Sequence, residues 1–447
     1  MRLAIERHFH RSLSYLAFAL LIGLLCGSSV STSSQQQQLS SFERDRGRMM
    51  LNIIKDDVKE HYYDPTFRGI NLEERFSAAE EKIKQATSNS QVFTIIAQTL
   101  MELNDSHTFF LPPPRGFKVE YGWHMQMIGA KAHVIAVKPG SDAEAKGLKP
   151  GDIIQSIDGF KPTRETMWIL NYLFRALSPR SAQRLIIQSG SGAPRELEIA
   201  SKVQQGQKLL DLTNSLQFQQ YLIELGAREH LMRHRFSEVG EELLIWKMPE
   251  FDLSEEKLEA IMGRVKKHKA LILDLRGNGG GYVDTCRHMV GYFLGQEIKM
   301  AEIKGRKETK AMMSKKAGGY EGKLVVLVDS DSASAAEIFA RVMQLEKRAM
   351  VIGDRTSGSV MQSRQYSRAM GTGSVVFYGT SITEADVIMN DGKSLEHAGM
   401  IPDEILLPTA EDLAAGRDPI ITRAAALLGF KIEPEKAGAL FPIEWPR

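Results

Sequence analysis

Apolar and polar positions alternate at helical spacing through the first part of the chain. Three amphipathic segments place apolar residues three and four positions apart, namely residues 48–64, 71–86 and 90–103. Asn71 and Ser90 stand at the starts of the second and third segments, where a side-chain oxygen can cap a helix. The pattern therefore predicts a small helical domain over residues 45–110.

The pattern then changes from helical to strand-like. "LPPPRGF", residues 111–117, interrupts the helical periodicity and indicates a linker. The following stretch combines "VIAVKPGSDAEAKGLKPGDIIQSIDG" with the helix-like "TMWILNYLFRAL" and resembles a PDZ domain, which we expect over residues 116–204. PDZ domains bind a peptide terminus by strand addition. The resemblance implies that the amides of Gly122, Trp123 and His124 hold the carboxylate; the alternative is a purely structural β-hairpin.

Strands and helices alternate in the last half of the chain. Short apolar runs such as "ELLIWKM" and "ALILDL" are separated by amphipathic segments such as "SEEKLEAIMGRVKKHK". This order predicts a layered α/β domain with a largely parallel sheet over residues 216–430, followed by a C-terminal tail over residues 431–447. The predicted fold class is therefore an α/β multidomain protein.

The stretch "LVVLVDSDSASAAEIFARVM", residues 324–343, suggests chemistry at a junction between a strand and a helix. A buried apolar strand ends in three serines, Ser330, Ser332 and Ser334, before an amphipathic helix begins. N-capping explains one serine but not three among small residues. Small neighbours let a substrate approach, and a helix N-terminus stabilises a developing negative charge. A nucleophilic serine at this junction is the alternative interpretation, and it accounts for the small residues that N-capping leaves unexplained.

A glycine-rich turn offers backbone amides for the same chemistry. "DLRGNGGG" follows a predicted strand, and glycines allow a close approach of backbone to substrate. A phosphate-binding loop would need a GxxxxGK[ST] pattern, which this stretch does not have. We therefore expect the amides of Gly280 and Ala335 to form an oxyanion hole.

Taken together in this order, four motifs resemble the C-terminal processing (tail-specific) serine peptidases and their tricorn-core relatives. They are "DLRGNGGG", "DSASAAEIFA", "RAMVIGDRTSG" and "GKSLEHAGMIPDE". The resemblance covers residues 45–410 and implies a crotonase/ClpP-like α/β core. It assigns the nucleophile to the serine three residues before Glu337, which is Ser334.

The chain departs from the Ser–Lys members of that family at one position. They carry a lysine 25 residues beyond the nucleophile, where this chain has Ser359. The tricorn-like branch uses a histidine that follows a serine, and Ser106 and His107 in "LNDSHTFF" match it. Glu396 in "SLEHAGM" matches the glutamate of that branch by order, and Asp105 is a further residue that could orient the imidazole. Which of Ser106 and Glu396 contacts the imidazole is left open.

The N-terminal residues resemble an export signal. A basic start, "MRLAIERHFHR", precedes a short apolar run and small residues, so we expect a signal peptide or anchor over residues 1–34 and a polar tether over residues 35–44. Lipidation of Cys26 is an alternative, although lipidation signals usually have Gly, Ala or Ser before the cysteine and this chain has Leu25. With Cys286 as the second of two cysteines, removal of Cys26 would exclude an intrachain disulfide. The expected location is the periplasm or cell envelope.

Composition narrows the function without identifying a substrate. The 447 residues are 43% hydrophobic and 25% charged, with a net charge of +2, which gives no electrostatic case for nucleic-acid binding. We expect a serine endopeptidase that recognises C-terminal tails of proteins or peptides, needs no cofactor or metal, and has an undetermined oligomeric state. The first alternative is an inactive peptide-binding scaffold. The second is a crotonase-like enzyme acting on thioesters.

Overall fold

A computed structural model describes residues 39–115, 117–205, 232–371 and 375–445. The predicted signal segment, the first four residues of the predicted tether and the first residues of the predicted α/β domain lie outside these ranges. The chain divides into two compact units. The smaller unit combines the N-terminal residues with 108–112 and 365–382, and the larger unit contains the rest.

Three helices form most of the smaller unit, α1 (Ser41–His61), α2 (Leu72–Lys84) and α3 (Asn89–Met101). Met50, Ile54 and Val58 follow one another at four-residue spacing on α1 and are buried, as the helical pattern requires. Ser40 and Glu43 form a reciprocal capping box that fixes the start of α1. Strand β1 (Phe109–Leu111) pairs antiparallel with residues 379–381.

The larger unit begins with a β-rich domain in the region predicted to be a PDZ domain. Five strands form an antiparallel sheet in the order β3-β4-β5-β6-β7, so β3 lies at one edge. Two further strands, β2 and β8, pair with each other. The elements are β2 (Phe117–Glu120), β3 (Trp123–Ile128), β4 (Lys131–Val137), α4 (Asp142–Ala145), β5 (Ile153–Ile157), α5 (Met167–Tyr172), β6 (Ala182–Gln188), β7 (Arg195–Ala200) and β8 (Lys202–Gln205).

A six-stranded sheet forms the centre of the rest of the larger unit. Its order is β18-β15-β14-β11-β10-β9, and every pair is parallel except that of β10 with β9. The strands are β9 (Arg235–Val239), β10 (Leu243–Lys247), β11 (Ala270–Asp274), β14 (Lys323–Val328), β15 (Met350–Gly353) and β18 (Glu404–Ile405). The prediction of a largely parallel sheet is confirmed.

Smaller elements complete this α/β part. Strands β12 (Lys299–Gly305) and β13 (Thr309–Met313) pair antiparallel, and β12 also pairs with residues 385–389. Strands β16 (Met361–Met370) and β17 (Val376–Met389) each contribute residues to both units. The helices are α6 (Glu255–Val265), α7 (Val283–Leu294), α8 (Ala335–Leu345), α9 (Ala410–Ala415), α10 (Pro419–Leu428) and α11 (Pro434–Gly438).

Helices cover both faces of the six-stranded sheet, which explains the uninterrupted apolar run of β14. Val326 and Val328 pack into a core with the apolar side chains of α6, α7 and α8. Val325 and Leu327 point to the opposite face and pack with α10. A strand buried on both faces has no polar alternation, which is typical of parallel sheets. The mixed α/β fold class is confirmed; the crotonase/ClpP-like core and the PDZ domain remain predictions.

Two local predictions need correction, and one is confirmed. Asn71 caps α2 as expected, with its side chain accepting a hydrogen bond from the Glu74 amide. Ser90 is not a cap, because Ser88 caps α3 instead. Helix α1 begins at Ser41, so the last residues of the predicted tether are helical. Among the described residues, no helix has the length and hydropathy needed to cross a membrane.

Replacing Phe339 tests the aromatic centre of the core on the α8 face. Its ring is fully buried and lies 6.0 Å from the Phe251 ring and 5.6 Å from the Phe293 ring. Phe339→Ala should lower the free energy of unfolding by about 3–5 kcal/mol, because the cavity cannot close fully. Urea denaturation measures the change. The control is Phe377→Ala, whose ring is 63% exposed and whose loss should change stability by about 0.5 kcal/mol or less; equal effects would contradict the packing.

Candidate functional site

A tight turn between β14 and α8 carries Ser334. The turn spans residues 329–334, and α8 begins at the next residue, Ala335. Ser334 has φ 54° and ψ −119°, a backbone conformation that a residue with a Cβ rarely adopts. The side chain is half-buried, so it remains reachable from solvent. Ser334 thus lies at the junction between a strand and a helix, and its positive φ is a feature that the sequence pattern did not predict.

The other two serines of the turn have structural roles. Ser332 is fully buried, and its hydroxyl donates a 2.8 Å hydrogen bond to the Leu275 carbonyl. The carboxylate of Asp329 accepts hydrogen bonds from the Ser332 and Gly277 amides. Ser330 donates a 2.6 Å hydrogen bond to the Met127 carbonyl on β3. These contacts explain why three serines cluster here while one is left for chemistry.

Glu337, one helical turn after Ser334, fixes the backbone around the turn. Its carboxylate accepts hydrogen bonds from the Ser334 amide at 3.1 Å, the Ser359 amide at 3.0 Å and the Gly358 amide at 2.9 Å. The Thr356 hydroxyl donates a fourth. Burial raises the pKa of Glu337 to about 7, and the four donors oppose that rise.

We name residues 356–360 the linking segment, because its backbone contacts both halves of the site. The Ser359 carbonyl accepts a 2.9 Å hydrogen bond from the Ser334 amide. The amide of the next residue, Val360, donates a 2.9 Å hydrogen bond to the Glu396 carboxylate. Ser334 and Glu396 are therefore held by consecutive residues of the linking segment.

Glu396, Ser106 and His107 form a continuous hydrogen-bonded chain. The Ser106 amide donates to Glu396 Oε1 at 2.7 Å, and the Ser106 hydroxyl donates to Glu396 Oε2 at 2.8 Å. The same hydroxyl lies 2.7 Å from His107 Nδ1. Since the single hydroxyl proton points to the carboxylate, His107 must donate from Nδ1, which leaves Nε2 unprotonated in the neutral ring. Ser106, rather than Glu396, contacts the imidazole.

The environment of His107 favours a neutral imidazole. Burial lowers the pKa of His107, and the carboxylates of Glu396 and Asp105 oppose that lowering. Asp105 is buried and accepts hydrogen bonds from the His107 amide at 3.0 Å and the Thr383 hydroxyl at 2.6 Å. Asp105 therefore orients the backbone at residue 107 through these contacts.

The glycine turn lies against the Ser334 turn. A Cβ added to Gly280 would lie 2.6 Å from the Ser334 Cβ and 3.1 Å from the Ala335 amide nitrogen, so only glycine fits here. The buried Asn278 holds the turn, because its side-chain oxygen accepts a 2.9 Å hydrogen bond from the Gly280 amide. The Asn278 carbonyl in turn accepts a 2.9 Å hydrogen bond from the Ala333 amide.

A charge network supports the base of the glycine turn. Arg276 pairs with Asp274 through two hydrogen bonds of 2.9 Å and 2.8 Å, and it contacts Asp418 at 2.8 Å. Lys247 lies 3.2 Å from Asp274. Burial alone would raise the pKa of Asp274, but the two cations outweigh it and hold the pKa below its ordinary range. Arg276 thus stabilises the turn by ion pairing.

The structure does not bring every predicted residue into direct contact. Among the described residues, no hydrogen bond joins the Ser334 hydroxyl to the His107 imidazole. The Ser359 hydroxyl lies 3.0 Å from the Ser357 hydroxyl. His124 stacks on Trp445, with 4.4 Å between ring centroids. Together with Gly122 and Trp123, it lies at the start of the edge strand β3.

Sequence reasoning missed three residues that organise the site. The family motif uses Glu337 only to locate the nucleophile, although an acidic residue on the buried face of an apolar helix indicates a structural role. Asn278 stood unnoticed among glycines, and Thr356 had no local signal, because its contact to Glu337 spans a long sequence separation. The described residues contain no group of three or more His, Cys, Asp and Glu side chains placed to hold a metal ion.

Comparisons with known proteins point to one class of enzyme. Residues 243–406 match the sequence model of peptidase family S41. The chain is 25% identical over 441 residues to carboxyl-terminal-processing peptidase 2, chloroplastic, of Arabidopsis thaliana, covering 92% of this chain and 79% of that protein. It is 25% identical over 316 residues to the tail-specific protease of Haemophilus influenzae, covering 66% of this chain and 42% of that protein.

A solved structure agrees with these relatives at the level of the fold. The photosystem II D1 C-terminal processing protease superposes with a TM-score of 0.52 at 17% sequence identity. The match covers 87% of this chain and 99% of that chain. At this identity the likeness concerns the fold alone, which is the mixed α/β multidomain architecture described above.

Replacing Glu396 tests the electrostatics of the hydrogen-bonded chain. We expect the His107 pKa to lie below its ordinary value of about 6.5 and to fall further in Glu396→Gln, because the negative charge that favours the imidazolium is lost. NMR titration of selectively labelled histidines measures the pKa, with His107→Gln identifying the signal. Glu321→Gln, at an exposed position, is the control. A His107 pKa that rises or stays constant in Glu396→Gln would contradict the arrangement.

Proposed function

Because the chain is a serine-type peptidase related to the C-terminal processing and tail-specific proteases, we propose that it is an exported endopeptidase that cleaves through an acyl-enzyme. In this proposal Ser334 is the nucleophile and His107 is the general base and acid. Ser106 and Glu396 are positioning residues. The substrates are proteins or peptides, and the reaction needs no cofactor.

Acylation follows from the protonation states of the hydrogen-bonded chain. His107 Nε2 accepts the Ser334 hydroxyl proton while Ser334 Oγ attacks the carbonyl carbon of the scissile peptide bond. In the imidazolium that forms, Nδ1–H donates its hydrogen bond to the Ser106 hydroxyl oxygen. The Glu396 carboxylate accepts the hydrogen bond of that hydroxyl and so stabilises the positive charge. Nε2 then gives its proton to the leaving amine nitrogen. His107 Nε2 then deprotonates a water molecule, which hydrolyses the ester between Ser334 and the acyl group.

Backbone amides would stabilise the tetrahedral intermediate. The Ala335 amide stands at the first position of α8, where it has no partner within the helix. We propose the glycine turn for the second donor. The Gly280 amide, the expected donor, points at Asn278 Oδ1 in this structure. The Gly280 N–H would therefore have to donate to Asn278 Oδ1 and to the oxyanion at once, or the adjacent Gly281 amide would be the second donor.

One observation carries this proposal: the linking segment holds both Ser334 and Glu396 by its backbone. Ser334 donates to the Ser359 carbonyl, and Val360 donates to the Glu396 carboxylate that binds Ser106. Neither contact uses the side chain of residue 359. The serine in place of the family's lysine is therefore compatible with a Ser–His mechanism.

Tail recognition and export complete the proposal. The β-rich domain has an edge strand, β3, to which a peptide strand could be added, and we propose that Gly122, Trp123 and His124 bind the substrate's terminal carboxylate. Residues 1–34 have the composition of an export signal, which supports a periplasmic or cell-envelope location. Cleavage between Leu25 and Ser34 would release the protein, and retention of the segment would anchor it.

A second candidate is an inactive peptide-binding scaffold. The observation that favours it is the missing hydrogen bond between the Ser334 hydroxyl and the His107 imidazole among the described residues. Catalytic hydrogen bonds are often long in structures without substrate and form only in the complex. The hydrogen-bonded chain from Glu396 to His107 fixes the tautomer that a general base requires and that peptide binding alone does not, so we favour the peptidase.

Labelling with a fluorophosphonate tests the nucleophile. The wild-type protein should react, Ser334→Ala should show no labelling, and His107→Ala should lower the labelling rate by about 10³-fold, because the base is lost. Fluorescence of the labelled band, followed over time, gives the rates.

The matched control is Ser359→Ala, which changes a neighbouring serine whose backbone alone contacts Ser334. It should be labelled within about twofold of the wild-type rate. Wild-type protein that remains unlabelled, even with a peptide tail present, would contradict the peptidase and favour the scaffold.

A further inference from the structure

A short segment after α11 connects the α/β part of the larger unit to the β-rich domain. We name residues 441–445 the strap. At its start, Phe441 packs against the apolar core that α10 forms with the six-stranded sheet. At its other end, Trp445 stacks on His124 of β3, with 4.4 Å between ring centroids and 6° between the ring planes. The strap therefore begins on one part of the unit and ends on the other.

Two arginines hold the strap between these ends. The Arg235 guanidinium donates a 2.8 Å hydrogen bond to the Pro442 carbonyl. Arg233 donates two hydrogen bonds, of 2.7 Å and 2.6 Å, to the Glu444 carboxylate. A bidentate pair of this kind fixes the direction of the carboxylate as well as its position. Because Trp445 is the next residue, the pair also sets where its indole lies.

The strap is held by contacts near the protein surface and not by burial. The side chains of Arg233 and Glu444 are 39% and 29% exposed, and Ile443 is 43% exposed. Ion pairs this accessible contribute little and are weakened by salt. A segment held by a few such contacts opens more often than the core does. The strap can therefore leave its place without disturbing the apolar core beneath it.

Trp445 covers a ring on the strand where a bound tail would lie. Gly122, Trp123 and His124 form the loop proposed to bind a terminal carboxylate, and β3 is the edge strand. A tail that pairs with β3 lies beside His124, whose ring Trp445 already contacts. Burial and the Arg175 guanidinium lower the pKa of His124 to about 4, so this contact is a stack of two neutral rings at neutral pH.

From these contacts we propose that the strap is an intramolecular competitor of substrate tails. While Trp445 lies on His124 the tail-binding loop is closed, and a tail has to displace the strap in order to bind. This inference rests on the tail recognition proposed above and adds a means of regulating the same loop. The apparent Kd of a tail is its intrinsic Kd divided by the fraction of molecules with an open strap. The strap thus reserves the loop for tails that bind tightly or are abundant.

Removing the indole tests this competition. Fluorescein-labelled octapeptides ending in alanine, valine, leucine or phenylalanine are titrated with the full chain carrying Ser334→Ala to prevent cleavage, and fluorescence anisotropy gives Kd. Trp445→Ala should lower the Kd of each peptide that binds by about five- to tenfold, because the strap no longer closes the loop. The matched control is Ile443→Ala, at an exposed position of the strap, which should leave Kd within about twofold.

A charge exchange tests the ion pair that directs the strap. Arg233→Glu repels Glu444 and should lower Kd in the same direction as the loss of the indole. Adding Glu444→Arg restores an ion pair of reversed polarity, and Kd should return towards its original value. A folding defect would weaken binding, so a gain in affinity that a second substitution reverses cannot come from damage to the fold.

Fluorine NMR follows the strap itself. The four tryptophans of the chain are replaced by 5-fluorotryptophan, and Trp445→Phe identifies the signal of Trp445 by its loss. A peptide that binds should move this signal towards the position that it has in Arg233→Glu, because both changes release the indole from His124.

The outcomes separate this inference from the proposed function. An equal or higher Kd in Trp445→Ala, or a Trp445 signal that a bound peptide leaves in place, would overturn the competition while leaving tail recognition intact. Failure of every peptide to bind any variant would overturn tail recognition and the competition with it. Labelling of Ser334 by a fluorophosphonate in the chain without Ser334→Ala would still report on the peptidase in either case.

Discussion

The candidate site depends on the hydrogen bonds that the Glu396 carboxylate accepts. It accepts hydrogen bonds from the amide and hydroxyl of Ser106, almost three hundred residues earlier in the chain, and from the Val360 amide. The hydrogen bonds from Ser106 determine which nitrogen of His107 carries the proton. The hydrogen bond from the Val360 amide connects this chain to the linking segment, which also holds Ser334. Because the side chain is only 5% exposed, losing any one donor would leave a poorly solvated charge.

Glu337 performs the corresponding task on the other side of the linking segment. Its carboxylate binds the amides of Ser334, Gly358 and Ser359, so one group sets the spacing between the strained turn and the segment. A residue with positive φ persists only where its surroundings hold it in place. The site is thus built mainly from backbone contacts to two buried carboxylates, which explains how it accommodates a serine at position 359.

Much of the architecture could be predicted because periodicity reports burial. The buried face of α1 and the apolar run of β14 follow directly from spacing in the sequence. Ser334, His107 and Glu396 were proposed for the site from family motifs, whose order along the chain is visible. The position of Ser106 between Glu396 and His107 could not be predicted, because it depends on contacts between distant segments. The N-cap of α3 is Ser88 and not the predicted Ser90. Where several residues could cap a helix, the sequence alone does not determine which one does.

The tautomer of His107 tests the account most directly. The geometry requires a neutral imidazole with its proton on Nδ1, hydrogen-bonded to Ser106, and with Nε2 available to accept the Ser334 proton. NMR of ¹⁵N-labelled histidine in the full-length protein at neutral pH distinguishes the two ring nitrogens, with His107→Gln identifying the signals. The account predicts a protonated Nδ1 and an unprotonated Nε2. A proton on Nε2 instead, or an imidazolium at neutral pH, would contradict it.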